Sequence, residues 1–558
     1  MIRMCDVKWW LSPKKEFAVA ALQTDTPAAT TLSPAERLVA KALPSVADTV
    51  FVCVLIGTVL GLQGRLLGYD GDAAWNLRIG DQVLRHGIPR TEFMLGPTFG
   101  HAAIYYEWLS QVIFALANRA AGLNGVVALA GLLIALTGLG LFHALRRRGV
   151  NLPLALLLTA CGLILTSISW TARAQLFSLV LLLWWTEWLW RYWSDGKRAR
   201  LIAFPLVMAL WANLHGGFIL GLLVLGVATA VALLLPADRG HAAPKELALC
   251  LGATMLAVLA TPWGFSLPLH VLDFFSNPLI SKYTVEFQSP DFHSATALIF
   301  LALVFAISGA WIWLASRGRR PHALALALVA VWTALAIYTV RYIPIWALIA
   351  LPLLGEALQD SLRVRATPES QEIGPRLRPR LPGFVVGAFQ RLDATDALVG
   401  RGLWSALAAL ALLALVLHGG RMPSGARVLN AQFDARTFPV QAAQRLHDGG
   451  LPPGAGFTTY TWGSYLDDAL PEYHPFVDSR SDSYSQKLLS DYLDIVGLSP
   501  DWRRLLTQYH LRWALLPRDA PLTQALALLP SWSCAAADDQ GVATLCLRVR
   551  PGTTRAAP

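Results

Sequence analysis

Long uncharged apolar runs separated by short polar breaks fill the first three quarters of the chain. Val126 to Leu145 and Phe218 to Leu235 each run for about 20 residues, the helix length that about 30 Å of hydrocarbon demands. Such runs predict membrane spans at approximately 46–66, 122–145, 152–169, 174–193, 201–214, 217–235, 247–267, 295–315, 322–340, 342–358 and 403–418. Two inter-span segments are unusually long. In the first, 69–121, Trp75, Ile79, Val83 and Leu84 recur at helical spacing, with Asn76, Arg78, Asp81, Gln82 and Arg85 on the opposite face. This predicts an amphipathic helix in the membrane surface, ended by Gly87 and Pro89. The second, Pro268 to Ser294, carries Asp273, Lys282, Glu286, Asp291 and His293.

Beyond residue 418 the pattern changes. Phe457 to Tyr460, His474 to Asp478, Arg512 to Leu516 and Ala543 to Val549 predict short strands, with helices between them over Tyr484 to Val496 and Pro500 to Tyr509. Strands alternating with helices point to a compact α/β domain. The expected class is therefore an α-helical polytopic membrane protein with a C-terminal extracytoplasmic α/β domain. The layout is a cytoplasmic tail (1–45), a transmembrane core (46–358), a basic linker (359–402), a last span (403–418) and the α/β domain (419–558).

Composition agrees. Hydrophobic residues make up 55% of the 558 and charged residues 15%, against roughly a quarter charged in soluble proteins. A mean hydropathy of +0.47 excludes a disordered chain, a coiled coil and a nucleic-acid-binding tail. The net charge of +10 resides before residue 419, because basic and acidic residues balance from Gly419 to Pro558. Charge beside spans orients them. With the N-terminus inside, the inner loops are Arg146-Arg147-Arg148, Arg191 to Arg200, Arg239 to Lys245, Arg317 to Arg320 and the linker Arg363 to Arg380, all basic. About eleven spans then leave the C-terminal domain outside. Cys534 and Cys546 flank a turn at Asp538-Asp539-Gln540-Gly541 and are a disulfide candidate if that domain meets an oxidising compartment.

Ionisable residues are costly in a bilayer, and here they sit at outer helix ends rather than at the midplane. In Tyr69-Asp70-Gly71-Asp72, Asp72 directly precedes the amphipathic helix, so its structural role is an N-cap worth about 1 kcal/mol. Asp70 has no such role; it could take a proton from an acceptor hydroxyl or hold a divalent metal. Arg173 and Arg341 stand at outer span junctions, where an arginine needs an anion: a lipid phosphate, or Glu286 or Asp291. His215, before Gly216-Gly217, either faces a phosphate or caps a helix. Glu286, Asp291 and His293 share one outer loop that could bind acceptor or metal, at a spacing that fits no standard zinc motif. Trp462 to Tyr465 and Val477 to Asp482 read as turns after strands.

Architecture and the runs Gly71 to Arg78, Ala174 to Ser178, Asn213 to Phe218 and Glu286 to Phe292 resemble the GT-C glycosyltransferases, which include protein mannosyltransferases, aminoarabinose transferases and oligosaccharyltransferases. The resemblance implies transfer of a sugar from a polyprenyl-phosphate carrier, usually with inversion, to a glycan, lipid or protein acceptor at the outer face of a bacterial cytoplasmic membrane. It implies a base or metal ligand at Asp70, or at Asp72 if the cap role fails, with Arg341, Arg173 and His215 on the leaving phosphate. Mg or Mn is the candidate cofactor, and no nucleic acid is a partner. The Trp-Trp-Asp triplet that reads acceptor peptides in oligosaccharyltransferases is absent. The alternatives are a non-catalytic assembly or polymer-export factor on the same scaffold, and a solute transporter, which would need internal repeats and broken helices.

Overall fold

The computed structural model describes residues 39–276, 284–365, 391–396, 399, 402–481 and 483–549. Most of the predicted tail and linker therefore lies outside the described residues, as do Lys282 and Asp482. The chain is mostly helical: α1 Val46–Gly61, α2 Gln63–Leu67, α3 Asp72–His86, α4 Trp108–Arg147, α5 Leu152–Thr166, α6 Gln175–Asp195, α7 Ala203–Leu214, α8 Phe218–Leu234, α9 Pro244–Ala257, α10 Ser266–Ser276, α11 Ala295–Ser316, α12 Ala323–Tyr338, α13 Ile343–Arg365 and α14 Leu403–Leu417. By length and composition, five helices can cross a membrane: Val39–Gly61, Trp108–Arg147, Leu152–Ser169, Ala295–Ser316 and Val340–Leu362. Phe218–Leu234, Ala323–Tyr338 and Leu403–Leu417 are apolar but shorter. The predicted 247–267 span is instead two helices, α9 and α10, because Pro262 cannot donate to a helical ladder. Its free carbonyl accepts from Arg90 Nη1 at 2.8 Å.

Inside the 40-residue α4, Gly122 takes φ 60 and ψ −155, so the helix kinks there between its two halves. Fully buried Trp185, Trp211, Trp332 and Trp346 fill the helical core. Asp48 closes a capping box with Ser45 and accepts from Gly402 N (3.1 Å) and Ser405 Oγ (2.6 Å), which ties α14 to α1.

The C-terminal part follows as α15 Val440–Gly449, β1 Ala455–Thr458, α16 Tyr460–Ala469, α17 Gln486–Val496, α18 Trp502–Gln508, β2 Leu511–Pro517, α19 Pro521–Ala527, β3 Trp532–Ala536 and β4 Ala543–Arg548. The sheet order is β1-β2-β4-β3, with β1 parallel to β2 and the other pairs antiparallel. Along β2 the side-chain alternation sends Trp513 and Leu515 into one apolar cluster and Ala514 and Leu516 into another. Cys534 and Cys546 are directly paired across β3 and β4 and form a disulfide.

The segment His474 to Asp478 is not a strand. Its polar groups bond to the loop between α3 and α4 instead: Gly96 N donates to Pro475 O (3.0 Å), and His474 Nδ1 lies 3.0 Å from Met94 O. This departure positions the site, because it seats the domain on the loop between α3 and α4.

Candidate functional site

The turn before α3 is built by Asp70 rather than Asp72. Asp70 Oδ1 accepts from Asp72 N at 3.1 Å, and the helix N-cap is Gly71, at φ 79. A β-carbon at Gly71 would lie 2.7 Å from Thr461 O and 2.8 Å from Tyr465 N, so α16 presses directly on this turn. Asp72 therefore does not serve as the cap. It stands one residue inside the helix, 2% exposed, facing the interior. Its Oδ1 accepts from Trp75 Nε1 (3.2 Å) and from Ser479 Oγ, and its Oδ2 pairs with Arg173.

Arg173 arrives by a local device. Ala172 N donates to Leu66 O at the end of α2 (2.6 Å), which lays the loop before α6 beside the Asp70 turn. Arg173 then meets Asp72, Asp70 (3.1 Å) and Glu286 (3.3 Å). Glu286 is held by its own backbone: Thr339 Oγ1 donates to Glu286 O (2.7 Å) and Val340 N to Gln288 O (2.9 Å). Those bonds bring Arg341 within 3.1 Å of Glu286, with its guanidinium over the Phe287 ring at 4.9 Å. Both predicted phosphate-binding arginines thus pair with Glu286, the protein anion expected as their alternative partner.

His215 ends α7. Its Nδ1 lies 2.7 Å from Ser178 Oγ and accepts from Gly217 N (3.0 Å), while Trp211 Nε1 donates to Ser178 Oγ (2.6 Å). With Nδ1 accepting, the ring proton belongs on Nε2, 3.5 Å from Glu107.

Asp70, Asp72, Arg173, His215, Glu286 and Arg341 all line one cavity of about 490 Å³. Asp291 and His293 do not reach it: Asp291 Oδ1 accepts from His293 N (2.9 Å), and both side chains are exposed at the turn into α11. Of that predicted loop only Glu286 belongs to the site.

The electrostatics follow from burial and crowding. Burial, only partly offset by Arg173 and reinforced by Asp70, pushes the Asp72 carboxyl up to about 7. Arg173, then Arg341, hold Glu286 below the usual carboxylate range against the effect of its burial. Burial, with Arg341 and Arg173 nearby, lowers His215 to about 3, so its ring is neutral near pH 7.

The C-terminal domain supplies the remaining wall with Tyr460, Ser479, Arg480, Ser481 and Tyr492. Buried Arg480 bonds to Asp478 (2.7 Å) and to Glu92 of the loop between α3 and α4 (3.1 Å), and lies 5.9 Å from the rings of Trp75 and Tyr105. Glu92 accepts in addition from Met94 N and Leu95 N.

No family model matches the chain, and no curated protein matches it. Solved structures do. The oligosaccharyltransferase of Archaeoglobus fulgidus in the apo form matches with a TM-score of 0.51 and 12% identity, over 87% of this chain and 70% of that one. The archaeal oligosaccharyltransferase AglB from Archaeoglobus fulgidus, in complex with an inhibitory peptide and a dolichol-phosphate, gives a TM-score of 0.52 and 12% identity, over 87% and 69%. The chain shares the fold of these oligosaccharyltransferases.

On the GT-C scaffold a divalent cation would be expected among the first-loop acids. Here those acids do not fit one. Asp70, Asp72 and Glu286 all turn to the Arg173 guanidinium, so a positive charge already stands where a cation would. Among the described residues no three His, Cys, Asp or Glu side chains gather as a metal site.

Sequence reasoning passed over Ser479 and Arg480, whose run Val477 to Asp482 read as a turn. One signal was present: an arginine between two serines in an apolar domain needs an acidic partner. One partner, Asp478, stands in the same run; that the other is Glu92, 388 residues earlier, had no signature in the sequence.

Proposed function

We propose that the protein is a membrane glycosyltransferase that moves a sugar from a polyprenyl-phosphate carrier to an acceptor at the outer membrane face. The observation that carries this reading is the convergence of six charged or titratable side chains, from separate loops, on one cavity of a GT-C fold. The AglB structure with dolichol-phosphate supports a lipid-phosphate donor.

Asp70 is the proposed base. Its side chain is 39% exposed, while that of Asp72 is 2% exposed and engaged by Arg173, Ser479 and Trp75. As the acceptor oxygen attacks the anomeric carbon, its proton passes to an Asp70 oxygen. The bond from that carbon to the carrier phosphate breaks, and the electron pair leaves with the phosphate. Attack opposite the leaving group inverts the anomeric centre. Arg341, 35% exposed at its side chain, exchanges Glu286 for the departing phosphate, with Arg173 behind it. His215 Nε2–H, neutral near pH 7, is a further donor toward that anion. Asp72 holds Arg173 in place and takes no proton from the acceptor. The roof from the C-terminal domain, with Tyr460, Ser481 and Tyr492, is the proposed acceptor side. No step passes through a metal.

In this layout the tail and linker face the cytoplasm of a bacterial inner membrane, and residues 419–558 lie outside it. The test is native mass spectrometry of the purified protein with polyprenyl-phosphate lipids, in wild type and Arg341→Ala. A retained phosphosugar lipid that weakens in the variant supports the transferase and names its donor. Absence of lipid-phosphate binding in both forms would transfer the assignment to a non-catalytic assembly factor.

A further inference from the structure

A second large cavity, of about 730 Å³, lies at the opposite ends of the same helices and shares no residue with the site above. Six arginines line it: Arg147, Arg148, Arg191, Arg200, Arg319 and Arg320. Two are neutralised locally, Arg148 by Glu187 and Arg200 by Asp195 at 2.6 Å. Among the described residues, Arg147, Arg191, Arg319 and Arg320 form no ion pair with a carboxylate. Glu356 and Asp360 also face the cavity, so the arginines outnumber the carboxylates.

The wall is built rather than loose. Trp188 Nε1 donates to Arg200 O (2.8 Å), His241 N to Trp193 O (3.2 Å), and Ala243 N to Tyr192 Oη (3.1 Å), which fixes the two loops that frame it. Gathering like charges in a preformed cavity raises its potential and favours an anion there. Its chemistry is also that of a membrane interface, with Trp190, Trp193 and Trp311 among the guanidinium groups.

A narrower cleft of about 330 Å³ adjoins the basic cavity and shares Arg147, Glu187 and Arg191 with it. Its other walls are largely apolar, including Leu136, Val180, Leu183 and Trp184 on α4 and α6. A basic cavity opening into an apolar cleft along two helices matches a molecule with a phosphate at one end and an alkyl chain at the other.

We propose that this cavity binds the phosphate headgroup of an anionic phospholipid, with an acyl chain in the adjoining cleft. Juxtamembrane arginine clusters of this kind recognise anionic lipids. The site is independent of the transfer reaction and stands whether or not that reaction occurs.

The full-length protein, purified in detergent, is mixed with phosphatidylglycerol or phosphatidylcholine and bound lipid is counted by native mass spectrometry. Wild type is expected to retain phosphatidylglycerol over phosphatidylcholine. Arg319→Gln/Arg320→Gln should weaken that retention on the order of tenfold or more, and Arg319→Lys/Arg320→Lys should preserve it. Arg147→Gln, between cavity and cleft, gives a second reading if the loop variant fails to fold. Equal retention of both lipids, or equal retention by wild type and both Gln variants, overturns the proposal. Binding of inorganic phosphate without retention of either lipid overturns the lipid assignment and makes the ligand a soluble phosphate.

Discussion

Arg173 and Asp72 form a buried ion pair that joins the loop before α6 to the first turn of α3. Around it the other acids take their places: Asp70 at 3.1 Å and Glu286 at 3.3 Å share the same guanidinium. Removing Asp72 leaves Arg173 with Asp70 and Glu286, so the cost falls below the about 3–5 kcal/mol of a buried pair broken outright.

The two aspartates should therefore separate by kind of defect. Asp70→Asn is expected to keep the wild-type melting temperature and abolish transfer. Asp72→Asn is expected to lower the melting temperature by several degrees, although asparagine is a good cap, because capping is not its role. Thermal unfolding of the purified variants beside a transfer assay checks both. Full transfer by Asp70→Asn would remove it as the base.

Gly71→Ala places a β-carbon against Thr461 O in a left-handed turn. The expected result is a loss on the order of 1–3 kcal/mol and loosening of the C-terminal domain from the turn before α3. Limited proteolysis should release residues near 419–558 sooner than in wild type; an unchanged digestion rate would contradict the docking.

His215 gives a pH signature. Its folded value of about 3 lies below the ordinary 6.5, so the unfolded chain binds more protons between those limits. Stability from this group is complete above pH 6.5 and is lost as pH falls toward 3, at most about 1.4 kcal/mol per pH unit. Asp72, raised from 3.8 to about 7, works in the opposite direction over much of that window. The difference between wild type and His215→Gln isolates the histidine: the variant should lose less stability on acidification. Parallel stability curves for the two proteins would show that His215 is not buried neutral.

Reduction should act on the domain's far edge. The Cys534–Cys546 bridge spans 12 residues and joins β3 to β4. Its loss is expected to cost about 2–4 kcal/mol. The melting curve of wild type in dithiothreitol and that of Cys534→Ala/Cys546→Ala should agree with each other and lie below the curve of the oxidised wild type.

The helical segments were legible because twenty uncharged apolar residues leave few alternatives, and α3 because its apolar residues recur on one face. Strand β2 was equally visible. His474 to Asp478 was misread because its composition suits a strand, while its actual partners, Met94 and Gly96, lie in a loop almost 400 residues earlier. At the site, Asp70, Arg173, His215, Glu286 and Arg341 each stood out as charged or titratable groups at helix ends on one predicted side. The Asp72 cap was wrong for a local reason, since glycine took the left-handed turn, and for a distant one, since Ser479 and Arg173 cover its carboxylate. Sequence spacing shows the first kind of relation only faintly and the second not at all.

The Ser479–Asp72 bond also has a consequence for how the molecule is made. Its two ends are 407 residues apart, and synthesis runs from the earlier to the later. While the helices are being inserted, Asp72 and Trp75 wait without their final partner, and the cavity lacks its roof. A nascent chain therefore has no finished pocket. The cavity is complete only after Ser479 and the segments around it have been made and folded.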